Sequence, residues 1–320
     1  MYDYMSDDSS IMELTARSER GDSEAQYLLG KRYYEGDGIG LDLDAAVGLI
    51  SESANSGYPA AQYTYGFFFC YGIGVPMDPK RAIKWYRAAA DQGYAEAQYG
   101  LGYMCDKGEG ITVNKMEAAK WYLLAADQGH PSAQCNLGIL YFNGMGVRRD
   151  PGEAFRLFSL SAIQGNLDAM FNLGRMYETG EGVKQDIKLA MMWYTEAASK
   201  GDPHSLFQIG HRYLIGDGVA KNEPLAAKMI EAAADKRDME AVATLGMMYY
   251  SGVGVEKDLN RAFALMSDAA GGWDPFAIFM LGVMYYNGEG VSQERNRGIG
   301  LIKLAAEIGS KDAADFLSGI

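Results

Sequence analysis

The chain has 320 residues, of which 48% are hydrophobic and 22% are charged, so it has ample material for a folded core. Its formal net charge of −13 argues against nucleic acid as a partner and against docking on an anionic membrane surface. No apolar run approaches the roughly 20 residues that a membrane-spanning helix needs, so we expect no membrane insertion.

The N-terminal region falls into two predicted segments. Residues 1–10 are acidic and polar, and we predict a mobile tail there. Residues 11–24 carry apolar residues at helical spacing, which predicts a partial helix that caps the N-terminal end of the rest of the chain. We therefore expect the regular part of the fold to begin at Ala25.

From Ala25 onward the sequence repeats every 36 residues. The clearest copy, residues 169–204, has one apolar run, a glycine turn at Gly180–Val183, a second apolar run and a closing Gly201. Each copy is predicted to be a helical hairpin that is too small to bury its own apolar face, so successive hairpins must stack. The eight predicted hairpins are residues 25–60, 61–96, 97–132, 133–168, 169–204, 205–240, 241–276 and 277–312, with a truncated C-terminal cap at residues 313–320.

Glycines recur at fixed positions within the repeat. One lies inside each first helix, where a glycine costs about 1 kcal/mol relative to alanine, so its recurrence indicates a close approach by a neighbouring helix. Paired glycines in each loop provide the positive φ that reverses the chain. Arg237 and Trp273 replace the closing glycine in the sixth and seventh hairpins, so the pattern defines the bend between the sixth and eighth hairpins least well.

The shared residues carry a family resemblance. They read AQY-x-L/Y-G, G-x-G-V/I, D, A-x-x-WY, AA and a final G, nearly complete in residues 61–96, 97–132 and 169–204. This pattern resembles the Sel1-like repeat family, whose members are relatives of the tetratricopeptide repeats, and it covers most of the chain. The resemblance implies an all-α, right-handed α-solenoid whose first helices line a concave surface. It also implies an adaptor or scaffold for protein–protein interaction, for example in signalling.

The compartment is predicted from the N-terminus and the cysteines. The first ten residues lack the basic region and following apolar stretch of a secretory signal, so we expect a cytoplasmic protein. Cys70, Cys105 and Cys135 occupy different positions in their repeats, whereas a disulfide framework would recur with the repeat. We therefore predict free thiols in a reducing compartment.

Motifs for catalysis are missing from the sequence. The G-x-G loops do not extend to G-x-G-x-x-G, and no P-loop motif occurs. The three histidines stand at unrelated positions, and no Ser-x-x-Lys motif is present. We expect no catalytic residue, cofactor or metal site and predict a non-catalytic scaffold. The alternatives are a hydrolase acting on peptides or cell-wall fragments, and a secreted host-interaction protein.

An aromatic stretch lies on the first helices of the second and third hairpins. At 100° per residue, the positions three, six and ten residues after each opening alanine point away from the shared core residues. There they hold Phe67, Tyr71 and Tyr103, flanked by Phe68 and Met104. Two interpretations remain open: packing between neighbouring helices, or an apolar groove for a partner helix or extended peptide.

A polar stretch follows on the next three first helices. Its members are Asn136, Asn172, Arg175, Gln208, His211 and Arg212. A row of amides beside two guanidinium groups suits a carboxylate, as in the carboxylate clamp of tetratricopeptide co-chaperones, so we predict a partner peptide with an acidic C-terminal end. In the alternative interpretation the two arginines pair with local acids such as Glu178 and Asp217.

Overall fold

The computed structural model describes the backbone of residues 4–319 and the side chains of residues 10–319. Between Tyr4 and Gly319 the chain forms eighteen α-helices and no β-strand, which confirms the all-α repeat fold. The helices are α1 (Tyr4–Glu19), α2 (Ser23–Glu35), α3 (Leu43–Asn55), α4 (Pro59–Tyr71), α5 (Pro79–Ala90), α6 (Ala95–Lys107), α7 (Lys115–Asp127), α8 (Pro131–Asn143), α9 (Pro151–Ile163), α10 (Leu167–Thr179), α11 (Ile187–Ser199), α12 (Pro203–Ile215), α13 (Glu223–Ala234), α14 (Met239–Ser251), α15 (Leu259–Gly271), α16 (Pro275–Asn287), α17 (Arg295–Glu307) and α18 (Lys311–Ser318).

The chain divides into two compact units. The N-terminal unit ends at Ala169, and the C-terminal unit begins at Met170. In both units helices pair as hairpins, α4 with α5 or α14 with α15 for example, and second helices pack on the first helix of the next hairpin, as α5 does on α6 and α13 does on α14. The end helices α1 and α18 pack on α2 and α17. Each unit is therefore a stack of helical hairpins, as expected for an α-solenoid.

Helix α1 begins at Tyr4, whereas the sequence pattern places the capping helix from Ile11. Residues 1–3 of the predicted mobile tail lie outside the described residues, as do the side chains of residues 4–9.

The second helix starts at a side-chain cap in the first seven hairpins, whereas in the eighth Glu294 makes no cap hydrogen bond. In the third hairpin the Asn114 side chain accepts a hydrogen bond from the Glu117 backbone N–H at 3.1 Å, which satisfies a donor that the helix leaves free. The same cap recurs at Asp42, Asp78, Asp150, Asp186, Asn222 and Asp258. The aspartate or asparagine of the repeat pattern thus marks where the second helix begins in the first seven hairpins.

The glycine inside each first helix accommodates a side chain of the second helix. A Cβ atom at Gly102 would lie 2.7 Å from Cδ1 of Tyr122, whose ring is completely buried. The predicted close approach of a neighbouring helix is confirmed, and the approaching group in this hairpin is an aromatic ring.

The closing turns keep one backbone conformation despite two substitutions. Gly93 and Gly129 close their hairpins with φ of 87° and 89°, and Arg237 and Trp273 adopt φ of 64° and 62°. All four residues adopt the left-handed backbone conformation. For the two that carry a Cβ atom, this conformation costs roughly 1–2 kcal/mol each. The sixth and seventh hairpins therefore form the same turn at an energetic cost.

In the N-terminal unit, two glutamines of one hairpin bond to each other, and the buried one also bonds to a backbone carbonyl of the preceding hairpin. Gln98 is buried, its Oε1 accepts a hydrogen bond from Gln128 Nε2 at 2.7 Å, and its own Nε2 donates to the Ala90 carbonyl at 3.2 Å. The pairs of Gln62 with Gln92 and of Gln134 with Gln164 repeat this arrangement. In the C-terminal unit the corresponding first-helix positions hold Met170, Leu206, Val242 and Ile278.

Candidate partner-binding clefts

An aromatic cleft opens in the N-terminal unit. We define it by six residues that line a cavity of about 510 Å³: Tyr63, Phe67, Tyr71, Tyr99, Tyr103 and Glu109. The three aromatic residues selected from the sequence, Phe67, Tyr71 and Tyr103, all line this one cavity. Two further lining residues, Tyr63 and Tyr99, were not selected, because they precede Phe67 and Tyr103 by one helical turn on the same helices and carry the shared tyrosine of the AQY motif.

The rings of the aromatic cleft follow each other along α4 and α6. The centroids of Phe67 and Tyr71 are 4.5 Å apart, and those of Tyr99 and Tyr103 are 6.4 Å apart. Phe67 and Tyr103 are half-buried against the core, whereas Tyr71 is 64% exposed. The flanking Phe68 is instead buried completely. Packing between helices thus accounts for part of the aromatic stretch, and a solvent-facing surface remains.

The aromatic cleft contains one carboxylate, that of Glu109, together with tyrosine hydroxyls and a thiol whose pKa values are raised. Burial raises the pKa of the Tyr63 and Tyr99 hydroxyls. At Cys70, which also lines the cavity, burial and then the negative charge of Glu109 raise the pKa of the thiol. No lysine or arginine is among the described residues that line the cavity. The Nζ of Lys107 lies over the Tyr103 ring, 5.8 Å from its centroid, and 3.8 Å from a carboxylate oxygen of Asp106.

A polar cleft lies in the C-terminal unit. It consists of two cavities of about 440 Å³ and 340 Å³ that share Glu178, Gln208 and Glu240. Arg175, which is exposed, lines the smaller cavity, and the half-buried His211 lines the larger one. The structure therefore brings together three of the six polar residues that were selected from the sequence.

The three predicted amides do not all line the polar cleft. Asn136 belongs to the N-terminal unit, where its Nδ2 donates a hydrogen bond to the hydroxyl of Tyr122 at 3.2 Å. Asn172 is half-buried on α10 in the C-terminal unit and is not among the residues that line the polar cleft. Of the three amides, Gln208 alone lines the described part of that cleft.

The predicted carboxylate clamp needs an accessible Arg212, but this residue is buried, with only 2% of its surface exposed. Its guanidinium pairs with Glu178 and, at 2.6 Å, with Asp217. The hydroxyl of Tyr194 also donates to Glu178, at 2.6 Å. For Arg212 the alternative interpretation, pairing with local acids, is therefore the correct one.

The error at Arg212 has a simple geometric cause. Arg212 follows the opening residue of its hairpin by seven positions, whereas Arg175 follows by six. One residue along a helix turns the side chain by 100°, from the exposed face into the core. The other hairpins from the second to the eighth fill this position with buried apolar residues, namely Phe68, Met104, Leu140, Met176, Met248 and Met284.

The described part of the chain holds neither a metal cluster nor a membrane-spanning helix. Among those residues no group of three or more His, Cys, Asp or Glu side chains is arranged to hold a metal ion. None of the helices formed by residues 4–319 combines the length and apolarity needed to cross a membrane. Cys70, Cys105 and Cys135 are free thiols.

The hairpins match a known repeat. The family model described as Sel1 repeat matches eight times, at residues 23–58, 59–94, 95–130, 131–166, 167–202, 203–238, 240–270 and 275–310. A comparison with curated proteins returned no match.

Two solved structures are similar over nearly the whole chain. A protective antigen present in uropathogenic Escherichia coli strains, which displays an SLR fold, is 32% identical with a TM-score of 0.76 over 95% of this chain. The chain spans 65% of that relative's length. A Sel1 repeat protein from Oxalobacter formigenes is 30% identical with a TM-score of 0.69, and the match covers 96% of this chain and 89% of the other. The chain belongs to the Sel1 repeat family.

Proposed function

We propose that this protein is a non-catalytic interaction scaffold that binds a segment of a partner protein in the aromatic cleft. Sel1 repeat solenoids are a typical fold for protein-interaction scaffolds. The observation that carries the proposal is the set of aromatic side chains around a cavity of about 510 Å³, with Tyr71 64% exposed at its edge. Tyrosine and phenylalanine are enriched in protein interfaces, and a few such anchors contribute most of the binding energy.

The shape of the aromatic cleft favours a peptide segment as the ligand. Its rings are spaced along two neighbouring first helices, α4 and α6, which presents a row of faces rather than a single closed pocket. An extended peptide or one face of an amphipathic helix can place successive side chains along such a row. The proposal therefore commits to a segment of a partner protein.

A clamp for an acidic C-terminal end is not part of this proposal. Arg212 is neutralised by Glu178 and Asp217, which leaves Arg175 as the exposed guanidinium of the polar cleft. Glu178 and Glu240 line the same cavity as Arg175, and their negative charges repel the carboxylate of an incoming peptide. An acidic peptide is therefore disfavoured there.

The test is capture of partners from a lysate of the source cells by matched variants. The cleft variant carries Tyr71→Ala and Tyr103→Ala. The control variant carries Ile215→Ala, because Ile215 occupies the same hairpin position as Tyr71 in the C-terminal unit and is 55% exposed. We expect proteins that bind wild type and the control but not the cleft variant, with affinity at least about tenfold weaker for the latter once measured on purified components. Identical capture by all three proteins contradicts the proposal.

A second candidate concerns where the protein acts. The relative from uropathogenic E. coli is described as a protective antigen, and an identity of 32% favours a protein that meets a host. The three free thiols instead support the cytoplasm, a reducing compartment. An antibody against the protein separates the two, since staining of intact cells supports contact with a host and staining only after lysis supports the cytoplasm.

A further inference from the structure

We propose that the aromatic cleft binds an arginine side chain of the partner, with its guanidinium against the tyrosine rings and paired with Glu109. This inference rests on the proposed function and names the ligand class of the same site. It is the opposite in charge of the acidic end that the sequence predicted.

The first support is the state of Glu109. The acid at the same hairpin position forms an ion pair with an arginine in two other hairpins: Asp37 lies 3.2 Å from an Arg32 nitrogen, and Asp217 lies 2.6 Å from an Arg212 nitrogen. In both cases the arginine stands five residues before the acid, on the first helix of the hairpin.

In the third hairpin the residue five positions before Glu109 is Met104, which is buried. Glu109 is exposed, and within residues 10–319 its side chain has no ion pair and no hydrogen bond. An arginine from outside would supply the partner that the first and sixth hairpins provide for themselves. Carboxylates accept guanidinium groups through two parallel hydrogen bonds, which adds geometric specificity.

The second support is the way this chain uses its own arginines. Arg81 lies over the Phe69 ring with its guanidinium carbon 4.0 Å from the centroid, and Arg297 lies 4.2 Å from the centroid of Tyr285. Guanidinium groups stack on aromatic faces because the ring quadrupole attracts a cation and the planar group fits the ring. The rings of Phe67 and Tyr71 line the cavity and offer the same kind of surface to an incoming side chain.

The third support is charge complementarity. The described lining of the aromatic cleft contains one carboxylate, phenols and a thiol, but no cationic side chain. The negative charge of Glu109 adds to the burial that raises the pKa of Tyr71 and Cys70, so these groups stay neutral and do not compete with Glu109 for the cation. Arginine is preferred over lysine, because its planar guanidinium stacks flat on a ring and can pair with a carboxylate through two parallel hydrogen bonds, whereas lysine is a compact, strongly hydrated charge.

The experiment uses a displayed library of random peptides that is selected on the full-length protein. Peptides that also bind the Tyr71→Ala, Tyr103→Ala variant are removed in a counter-selection. We expect the remaining peptides to share an arginine beside apolar residues. Remaining peptides without a shared arginine, or with acidic residues in its place, overturn the arginine inference but leave the proposed function intact. If no peptide distinguishes wild type from the cleft variant, the proposed function fails as well.

The selected peptide then provides a matched pair of probes. Replacing its arginine by citrulline keeps the shape and removes the charge, and Glu109→Gln does the same on the protein. We expect each change alone to weaken binding about tenfold or more, since hydrogen bonds between charged groups are the strongest of their kind. The two changes together should cost no more than either one. Unchanged binding of the citrulline peptide to wild type, or an unchanged affinity of Glu109→Gln for the arginine peptide, overturns the inference.

Discussion

The two units build the same hairpins with different chemistry at corresponding positions. In the N-terminal unit, buried glutamines such as Gln98 bond to a backbone carbonyl of the preceding hairpin, whereas the C-terminal unit holds apolar side chains such as Val242 there. The backbone turns, the helical glycines and the side-chain caps are common to both units. The hairpin thus depends on local backbone requirements, and the contact between hairpins tolerates either polar or apolar groups if they are satisfied.

The candidate clefts of the two units also differ in the chemistry of their exposed side chains. The N-terminal unit exposes aromatic rings beside one unpaired carboxylate, Glu109, within the described residues. The C-terminal unit exposes amide and charged groups, and a buried arginine, Arg212, neutralises part of them. Surface residues that look alike in a repeat alignment can therefore have opposite roles, depending on a shift of one position.

The largest expected effect concerns Arg212 in the C-terminal unit. Arg212→Ala should lower the free energy of unfolding by about 3–5 kcal/mol, because it removes a buried ion pair and leaves a cavity. Arg212→Met should cost less, since methionine fills this position in the fifth, seventh and eighth hairpins. Denaturant-induced unfolding monitored by circular dichroism measures both values. Equal losses for the two variants would show that packing at this position contributes little.

A smaller effect on the free energy of unfolding is expected when the buried glutamine of the N-terminal hairpins is introduced into the C-terminal unit. Val242→Gln should cost about 1–3 kcal/mol, because the buried amide oxygen lacks the glutamine donor that Gln98 has in the N-terminal unit. The position that holds the partner glutamine in the N-terminal unit is Gly272, whose φ of −83° is nearly that of Gln128 at −84°. The double variant Val242→Gln, Gly272→Gln should recover part of the loss. Simple additivity of the two single changes would contradict this account of the glutamine pairs.

The smallest effect concerns the strained closing turns of the C-terminal unit. Trp273→Gly should stabilise the protein by about 1 kcal/mol, because glycine adopts the left-handed conformation without steric cost. The loss of packing is small, since Trp273 is 67% exposed. In the N-terminal unit Gly93→Ala should have the opposite sign. Thermal unfolding of both variants against wild type gives the result, and a destabilised Trp273→Gly variant would mean that the exposed indole makes a contact that outweighs the strain.

Most of the fold was predictable from the sequence because its causes are local. The glycine at position 102 and the cap at Asn114 recur every 36 residues and each satisfies one backbone or packing requirement. Phe67 and Tyr103 were placed in one cleft because equal positions on stacked helices face the same way.

The remaining features depend on tertiary contacts. The hydrogen bond between Gln98 and Gln128 joins the two helices of one hairpin, so the recurrence of both residues was visible in the sequence but their pairing was not. Asn136 was assigned to a ligand because its bond to the Tyr122 hydroxyl comes from packing of α8 against α7. A periodic pattern assigns a residue to a face of a helix, but it does not identify the group that lies opposite.

The most direct test of the central claim is the alkylation rate of Cys70 with and without a bound partner segment. Cys70 lines the aromatic cleft and is the most accessible of the three thiols; Cys105 and Cys135 are buried, and burial raises the pKa of Cys135 to about 12. The probe is a peptide that binds wild type but not the Tyr71→Ala, Tyr103→Ala variant. The account predicts that this peptide slows iodoacetamide labelling of Cys70 in proportion to the occupied fraction, by about tenfold or more at saturation. An unchanged labelling rate at saturation would contradict binding in the aromatic cleft.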